Sequence, residues 1–229
     1  TIIACRVSPR QKAEVVRMVQ ERLGGVTLAV GDGANDVAML RAAHIGVGVA
    51  NEAGEGALGA AEASDYVLGR FSDLSRLLLV HGAWCYQRTS LVCLFLLYQQ
   101  ALLHAMLFLF ELHSGVSGTA PLSVGLSGTL LSLHTLPPVL AAGMLDQPAR
   151  AVTLHGVPCT YSHGQRDGGL SMWAVCVWGG EGVAHAAILF YGTRFLVVGC
   201  GHDGGGATLS MLGVALQLML LLVANLKLA

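Results

Sequence analysis

The chain has 229 residues, of which 54% are hydrophobic and only 12% are charged, with a formal net charge of −1. A soluble globular domain carries about 25% charged residues, so this composition excludes an ordinary single soluble domain, and the lack of a basic excess excludes a nucleic-acid partner. The shortage is uneven: residues 1–88 read as a normal α/β segment, whereas residues 89–229 contain long uncharged stretches, which implies a water-facing part followed by a membrane part.

Ile2 to Cys5 predicts a strand at the very start, so the chain reads as a segment entered in mid-domain. Ser8-Pro9-Arg10-Gln11 predicts a helix start, because Ser8 can cap, Pro9 fits the first turn and Gln11 stands where a capping box needs it. Val15, Val16, Val19 and Leu23 form one apolar face of that helix, and Gly24-Gly25 ends it. Val26 to Val30 predicts a buried parallel strand.

Gly31-Asp32-Gly33-Ala34-Asn35-Asp36 follows as a tight acidic loop, and Val37 to Ala43 as a short helix. Two carboxylates four residues apart, flanked by glycine, can hold a hard cation beside a phosphate, although aspartate and glycine also make plain turns. Ile45 to Val49 predicts a third strand, Asn51 to Glu62 a loop and weak helix, and Tyr66 to Leu68 a short edge strand. Ser72 can cap the next helix, which runs through His81 and Trp84.

The alternation of strands and helices predicts a layered α/β sheet with its ligand site at the carboxyl ends of the strands. There Lys12 can reach a phosphoryl oxygen, or simply be a solvated lysine. Asp32 can bind Mg²⁺, and Asn35 and Asp36 can order the loop or the cation's water. Asp36 also fits as an acid at a helix N-terminus. A complete phosphoryl-transfer site needs one more acid from another strand.

Thr89 to Phe110 is 22 residues without a formal charge, which at about 1.5 Å per residue crosses a hydrocarbon core. Further spans are expected at 122–145, 168–192 and 207–226, with Pro137-Pro138 kinking or breaking the second and Glu181 in the middle of the third. Glu181 is either paired inside the bundle or a mark of an irregular span, and the glycine runs at 179–182 and 204–206 read as loose. Arg70, Arg76 and Arg88 precede the first span, and Arg150 and Arg166 follow the second, so the first domain and the loop 146–167 are expected to face the cytosol. Gln99 and Gln100 lie within the first span, where they either line a polar transport path or hydrogen-bond between helices. The six cysteines form no Cys-x-x-Cys pair.

Three stretches closely resemble the phosphorylation domain of P-type ATPases: Arg6-Val7-Ser8-Pro9-Arg10-Gln11-Lys12, Thr27 to Met39 (TLAVGDGANDVAM) and His44-Ile45-Gly46-Val47-Gly48-Val49. Cys5-Arg6-Val7-Ser8-Pro9 and Leu77 to Arg88 narrow the resemblance to the type IV enzymes, the phospholipid flippases. Leu136-Pro137-Pro138 and Leu145-Asp146-Gln147 resemble the end of the family's sixth membrane helix.

The resemblance implies a haloacid-dehalogenase-like phosphorylation-domain segment over 1–75, a stalk over 76–88 and a membrane region over 89–229 of about four spans. It implies that Lys12 contacts an aspartyl phosphate, that Asp32 ligates Mg²⁺, and that Asn35 and Asp36 support the phosphate and metal site. ATP is then bound mostly by another domain. The phosphorylated Asp-Lys-Thr-Gly-Thr stretch does not occur in this sequence and is expected upstream, so residues 1–229 alone are expected to hydrolyse no ATP.

A flippase moves phospholipid to the cytosolic leaflet of a plasma, Golgi or endosomal membrane, with a Cdc50-type accessory subunit. The family usually carries a lysine and an asparagine after the tyrosine of its fifth helix; here Tyr98 is followed by Gln99 and Gln100. Two rival readings are a non-catalytic membrane relative and a cation-transporting pump.

Overall fold

A computed structural model describes residues 3, 5–50, 55–118, 124–161, 164, 168–199 and 209–228, with backbone only at 55–57, 124–132, 158, 197–199 and 209–211. Two compact units divide between Val80 and His81.

The first unit opens with α1 (Pro9–Leu23). Its start is the expected capping box: the Gln11 amide donates to Ser8 Oγ (3.4 Å) and the Ser8 amide to Gln11 Oε1 (2.9 Å). Gly24 takes φ +62°, a left-handed cap whose N–H reaches the Gln20 carbonyl at 3.0 Å. Then come β1 (Leu28–Gly31), a 3₁₀ turn (Ala34–Asp36), α2 (Val37–Ala42), β2 (Ile45–Val49), α3 (Glu55–Ala63) and β3 (Tyr66–Leu68). The strands form a parallel sheet of order β1-β2-β3, with Leu28 opposite Ile45 and Val47 opposite Tyr66. Ala29, Leu40 and Ala60 make its small core.

Three expectations for this unit are corrected. Ile3 and Cys5 belong to no strand, and the rest of the proposed Ile2–Cys5 strand lies outside the described residues; Arg6 at φ +53° turns the chain directly before the helix. The first strand begins at Leu28 rather than Val26, because Thr27 binds His44 by its amide and hydroxyl. Val15, Val19 and Leu23 are exposed, and Ala13 is the buried residue of α1. Gln20 explains the rotation: its amide donates to Thr27 Oγ1 and to the Ala42 carbonyl, both at 2.8 Å, which turns the Lys12–Ala13–Val16–Gln20 side inward.

A helical stretch from Asp73 to His113 comprises α4 (Asp73–Arg76), a π turn (Leu77–His81) and α5 (Gly82–His113). Ser72 stands at the N-cap position without making the cap bond, because its own backbone is already helical (φ −58°, ψ −29°).

The second unit also holds α6 (Val124–Leu145), α7 (Ala151–Gly156), a 3₁₀ turn (Pro158–Tyr161), α8 (Met172–Gly199) and α9 (Leu209–Leu228). Its main core stacks Tyr98, Leu102, Met106 and Phe110 of α5 against Ala186 and Phe190 of α8 and Leu216 and Leu220 of α9. That four-residue spacing is one face of each helix.

Among the described residues two helices are long and apolar enough to cross a membrane, Asp73–His113 and Met172–Leu196, with mean hydropathy 1.8 and 1.3. The other two expected spans correspond to α6 and α9, whose described apolar stretches, Leu133–Leu145 and Leu212–Leu228, are shorter. Of the kink or break expected at Pro137-Pro138, the break does not occur: α6 continues through both prolines. Proline's fixed φ suits a helix, so what is lost is two N–H donors rather than the helical path. Helix α8 is shifted from the expected 168–192 because Ser171 caps its start, accepting from the Ala174 amide at 3.2 Å, and nothing from Thr193 to Gly199 breaks it. The expected loop 146–167 contains α7.

Candidate functional site

The acidic loop leaves β1 at Gly31, and the Asp36 amide closes its 3₁₀ turn on the Gly33 carbonyl at 3.0 Å. That turn lays Asp36 back across Gly31: a Cβ on Gly31 would stand 2.5 Å from the Asp36 Cβ and 2.9 Å from its Cγ. Glycine is needed there for close approach, not for a rare φ. Asp36 is only 6% exposed, and a buried carboxylate needs a partner. Lys12, from the first turn of α1, supplies it, with Nζ 2.6 Å from Asp36 Oδ1.

Lys12, Asp32 and Asp36 line one cleft of about 820 Å³ together with Arg6, Val7, Gly31, Met39 and Phe71. It lies at the carboxyl end of β1, where open parallel sheets bind ligands. Asp32 is exposed, so its carboxylate is free to meet a cation and its waters. Asn35 is exposed and does not line the cleft; its Oδ1 lies 2.6 Å from where a Cβ on Gly33 would be, so it folds back over the loop. Among the described residues no three His, Cys, Asp or Glu side chains converge on a metal site. One or two carboxylates suffice for Mg²⁺, which keeps several waters and shares substrate phosphates, so this donor set fits that ion.

The sequence reading missed two contributors. Arg6 adds a second cation to the cleft from a backbone position, φ +53°, that costs a non-glycine residue energy. His44 acts at a distance: its Nδ1 accepts from the Thr27 amide at 3.1 Å and lies 3.3 Å from Gln20 Nε2. The Gln20–Thr27–His44 group locks α1 to the loops around β1 and β2, which holds Lys12 on Asp36. Its sequence signal was faint, a polar residue one helical turn beyond Val16.

In the membrane unit the structure separates Gln99 from Gln100. Gln99 is buried and its Nε2 donates to Thr135 Oγ1 of α6 at 3.1 Å, the interhelical alternative of the two sequence readings. Gln100 is exposed, as the 100° turn per residue requires. Glu181 is paired: Lys227 Nζ lies 2.5 Å from its Oε2. Of the glycine run at 179–182, Gly182 is closely packed, since a Cβ there would stand 2.9 Å from the Tyr98 carbonyl oxygen, whereas a Cβ on Gly179 or Gly180 would meet nothing within 4 Å; the run at 204–206 lies outside the described residues.

Residues 61–229 match the family model described as "Phospholipid-translocating P-type ATPase C-terminal". The chain is 38% identical to the phospholipid-transporting ATPase DRS2 of Saccharomyces cerevisiae over 192 residues, 84% of this chain and 14% of that protein. It is 40% identical to phospholipid-transporting ATPase tat-1 of Caenorhabditis elegans over 190 residues, 83% and 16% of the two chains. Over 231 residues it is 33% identical to phospholipid-transporting ATPase 6 of Arabidopsis thaliana, covering 100% of this chain and 18% of that one. The chain thus spans between 14% and 18% of the length of these relatives.

Proposed function

The chain belongs to the phospholipid-translocating P-type ATPase family, and we propose that it supplies part of the phosphorylation domain and part of the membrane domain of an ATP-driven flippase that works through an aspartyl phosphate. The observation that carries this reading is the Lys12–Asp36 pair beside exposed Asp32 on one cleft at the end of β1. In this reading the segment is haloacid-dehalogenase-like and cytosolic, and α5, α6, α8 and α9 all span the membrane.

Within the cleft each residue has a distinct task. Lys12 and Arg6 meet the phosphoryl oxygens as positive charges where negative charge accumulates. Asp32 is the Mg²⁺ ligand that faces solvent, and Asp36 fixes the Lys12 ammonium while its second oxygen stays available to the cation. Asn35 keeps the loop folded. Mg²⁺, when bound, screens the phosphoryl oxygens as a Lewis acid. ATP is bound mostly by a domain outside these residues. A Cdc50-type subunit and a phospholipid substrate are part of the proposal. A non-catalytic membrane relative is the second reading, favoured by Gln99, whose side chain is committed to Thr135 instead of a polar route.

The test is Asp32→Asn in the full chain, with phosphoenzyme formation, ATPase turnover and labelled-lipid movement measured together. All three should stop. Normal phosphoenzyme and turnover would sink the assignment, whereas an unmutated full chain that forms no phosphoenzyme and hydrolyses no ATP would support the second reading.

A further inference from the structure

A second constellation of charged and aromatic groups lies inside the helix bundle, outside the phosphoryl site. Lys227, on the last turn of α9, points its ammonium at two rings and a carboxylate. Its Nζ is 4.6 Å from the centroid of Trp178, 5.8 Å from that of Tyr98 and 2.5 Å from Glu181 Oε2. The two rings stand nearly perpendicular, at 88° with centroids 6.4 Å apart, so they form a corner rather than a stack. Glu181 closes a third side. Both ring contacts fall within the range in which a cation is attracted by the ring's electron-rich face.

The walls of this corner are held more firmly than the group inside it. Tyr98 is fully buried, and its hydroxyl lies 2.8 Å from His185 Nδ1. Gly182 seats α8 directly on the α5 backbone at Tyr98, which brings Trp178 and Glu181 alongside. The occupant is the end of a flexible four-carbon side chain that is 25% exposed, and Glu181 is 41% exposed, so the corner is open on one side. Two aromatic faces and one carboxylate around a cation are the chemistry of an alkylammonium cage.

We propose that Trp178, Tyr98 and Glu181 form a binding site for an alkylammonium group and that Lys227 is its built-in, displaceable occupant. A trimethylammonium or similar head group enters from the open side, takes the place of the Lys227 ammonium over the rings and leaves the lysine in solvent. This extends the lipid-translocating reading by naming the chemistry of one head group, yet its test reads displacement and needs no ATP turnover.

The experiment uses the full chain reconstituted in phosphatidylglycerol vesicles, with and without phosphatidylcholine, whose quaternary head group does not react with acylating reagents. Acetylation of Lys227 is followed by peptide mass spectrometry, with Lys12 as an internal reference. Phosphatidylcholine should raise Lys227 labelling about tenfold, which corresponds to the loss of one desolvated cation–ring and carboxylate contact. A rise caused only by phosphatidylcholine identifies a lipid ligand, and a rise also caused by tetramethylammonium chloride identifies a soluble one. No rise with either overturns the proposal. Trp178→Leu should label strongly under all conditions, and a phosphatidylcholine-dependent rise that survives this change would overturn the assignment of the cage. The Asp32→Asn chain, inactive as a pump in the reading above, should show the same labelling as the unmutated one.

Discussion

Replacing Gly31 with alanine puts a methyl group into space that Asp36 already fills. The new carbon would lie 2.5 Å from Asp36 Cβ, 2.9 Å from Cγ and 3.0 Å from Oδ2. Rotating the Asp36 side chain cannot relieve the first of these contacts, because Cβ is bonded to the backbone; the whole turn Ala34–Asp36 has to move. Overpacking of this kind costs about 1–3 kcal/mol. The movement also pulls Oδ1 off the Lys12 ammonium, now at 2.6 Å. At about 1.4 kcal/mol per tenfold, the population with Asp36 in place should fall about five- to 150-fold. The assay compares ATPase turnover and thermal unfolding of the full chain carrying Gly31→Ala with two controls, Gly25→Ala and Gly69→Ala. At both control positions an added Cβ meets nothing within 4 Å and φ is not positive, so they should behave as the unmutated chain. If Gly31→Ala melts and turns over like the controls, the close approach of Asp36 to Gly31, and the site built on it, are refuted.

Gln20→Ala removes two 2.8 Å hydrogen bonds that hold α1, so it should destabilise the first unit by about 1–3 kcal/mol in thermal unfolding. It should also weaken phosphorylation without touching a site residue. A double-mutant cycle of Gln99→Leu and Thr135→Val should give a coupling of about 0.6 to 1.7 kcal/mol, the range for hydrogen bonds between membrane helices; additivity would show that the 3.1 Å contact has no energetic role. Gly182→Ala should lower the unfolding temperature by separating α8 from α5, since its methyl would lie 2.9 Å from the Tyr98 carbonyl oxygen and 3.2 Å from the Leu102 amide. An unchanged melting curve would mean the two helices do not pack at this point.

Local chemistry was readable directly from the chain. Ile45–Val49 and Tyr66–Leu68 are strands at the expected residues, and Ser8, Pro9, Gln11 and Gly24 begin and end α1 as their types require. In each case the controlling interactions lie within a few residues along the chain, so the pattern carries the answer. The resemblance seen in Arg6–Lys12 and Thr27–Met39 agrees with the family to which residues 61–229 also match. The valines of α1 misled because hydrophobicity predicts that a face is buried but not which face; three hydrogen-bonding residues decided the rotation.

What tertiary structure alone decided is who pairs with whom across long gaps. Lys12 meets Asp36 across 24 positions, Gln99 meets Thr135 across 36, Lys227 meets Glu181 across 46 and Tyr98 meets His185 across 87. An ionisable residue inside an apolar span announces that it needs a partner, since leaving it unpaired is costly. For Glu181 the sequence therefore offered pairing as one of two readings, and for Asp36 it showed only a carboxylate in an acidic loop. Only the packing of α1 on that loop, and of α8 and α9 on α5, decided that both are paired and with which lysine.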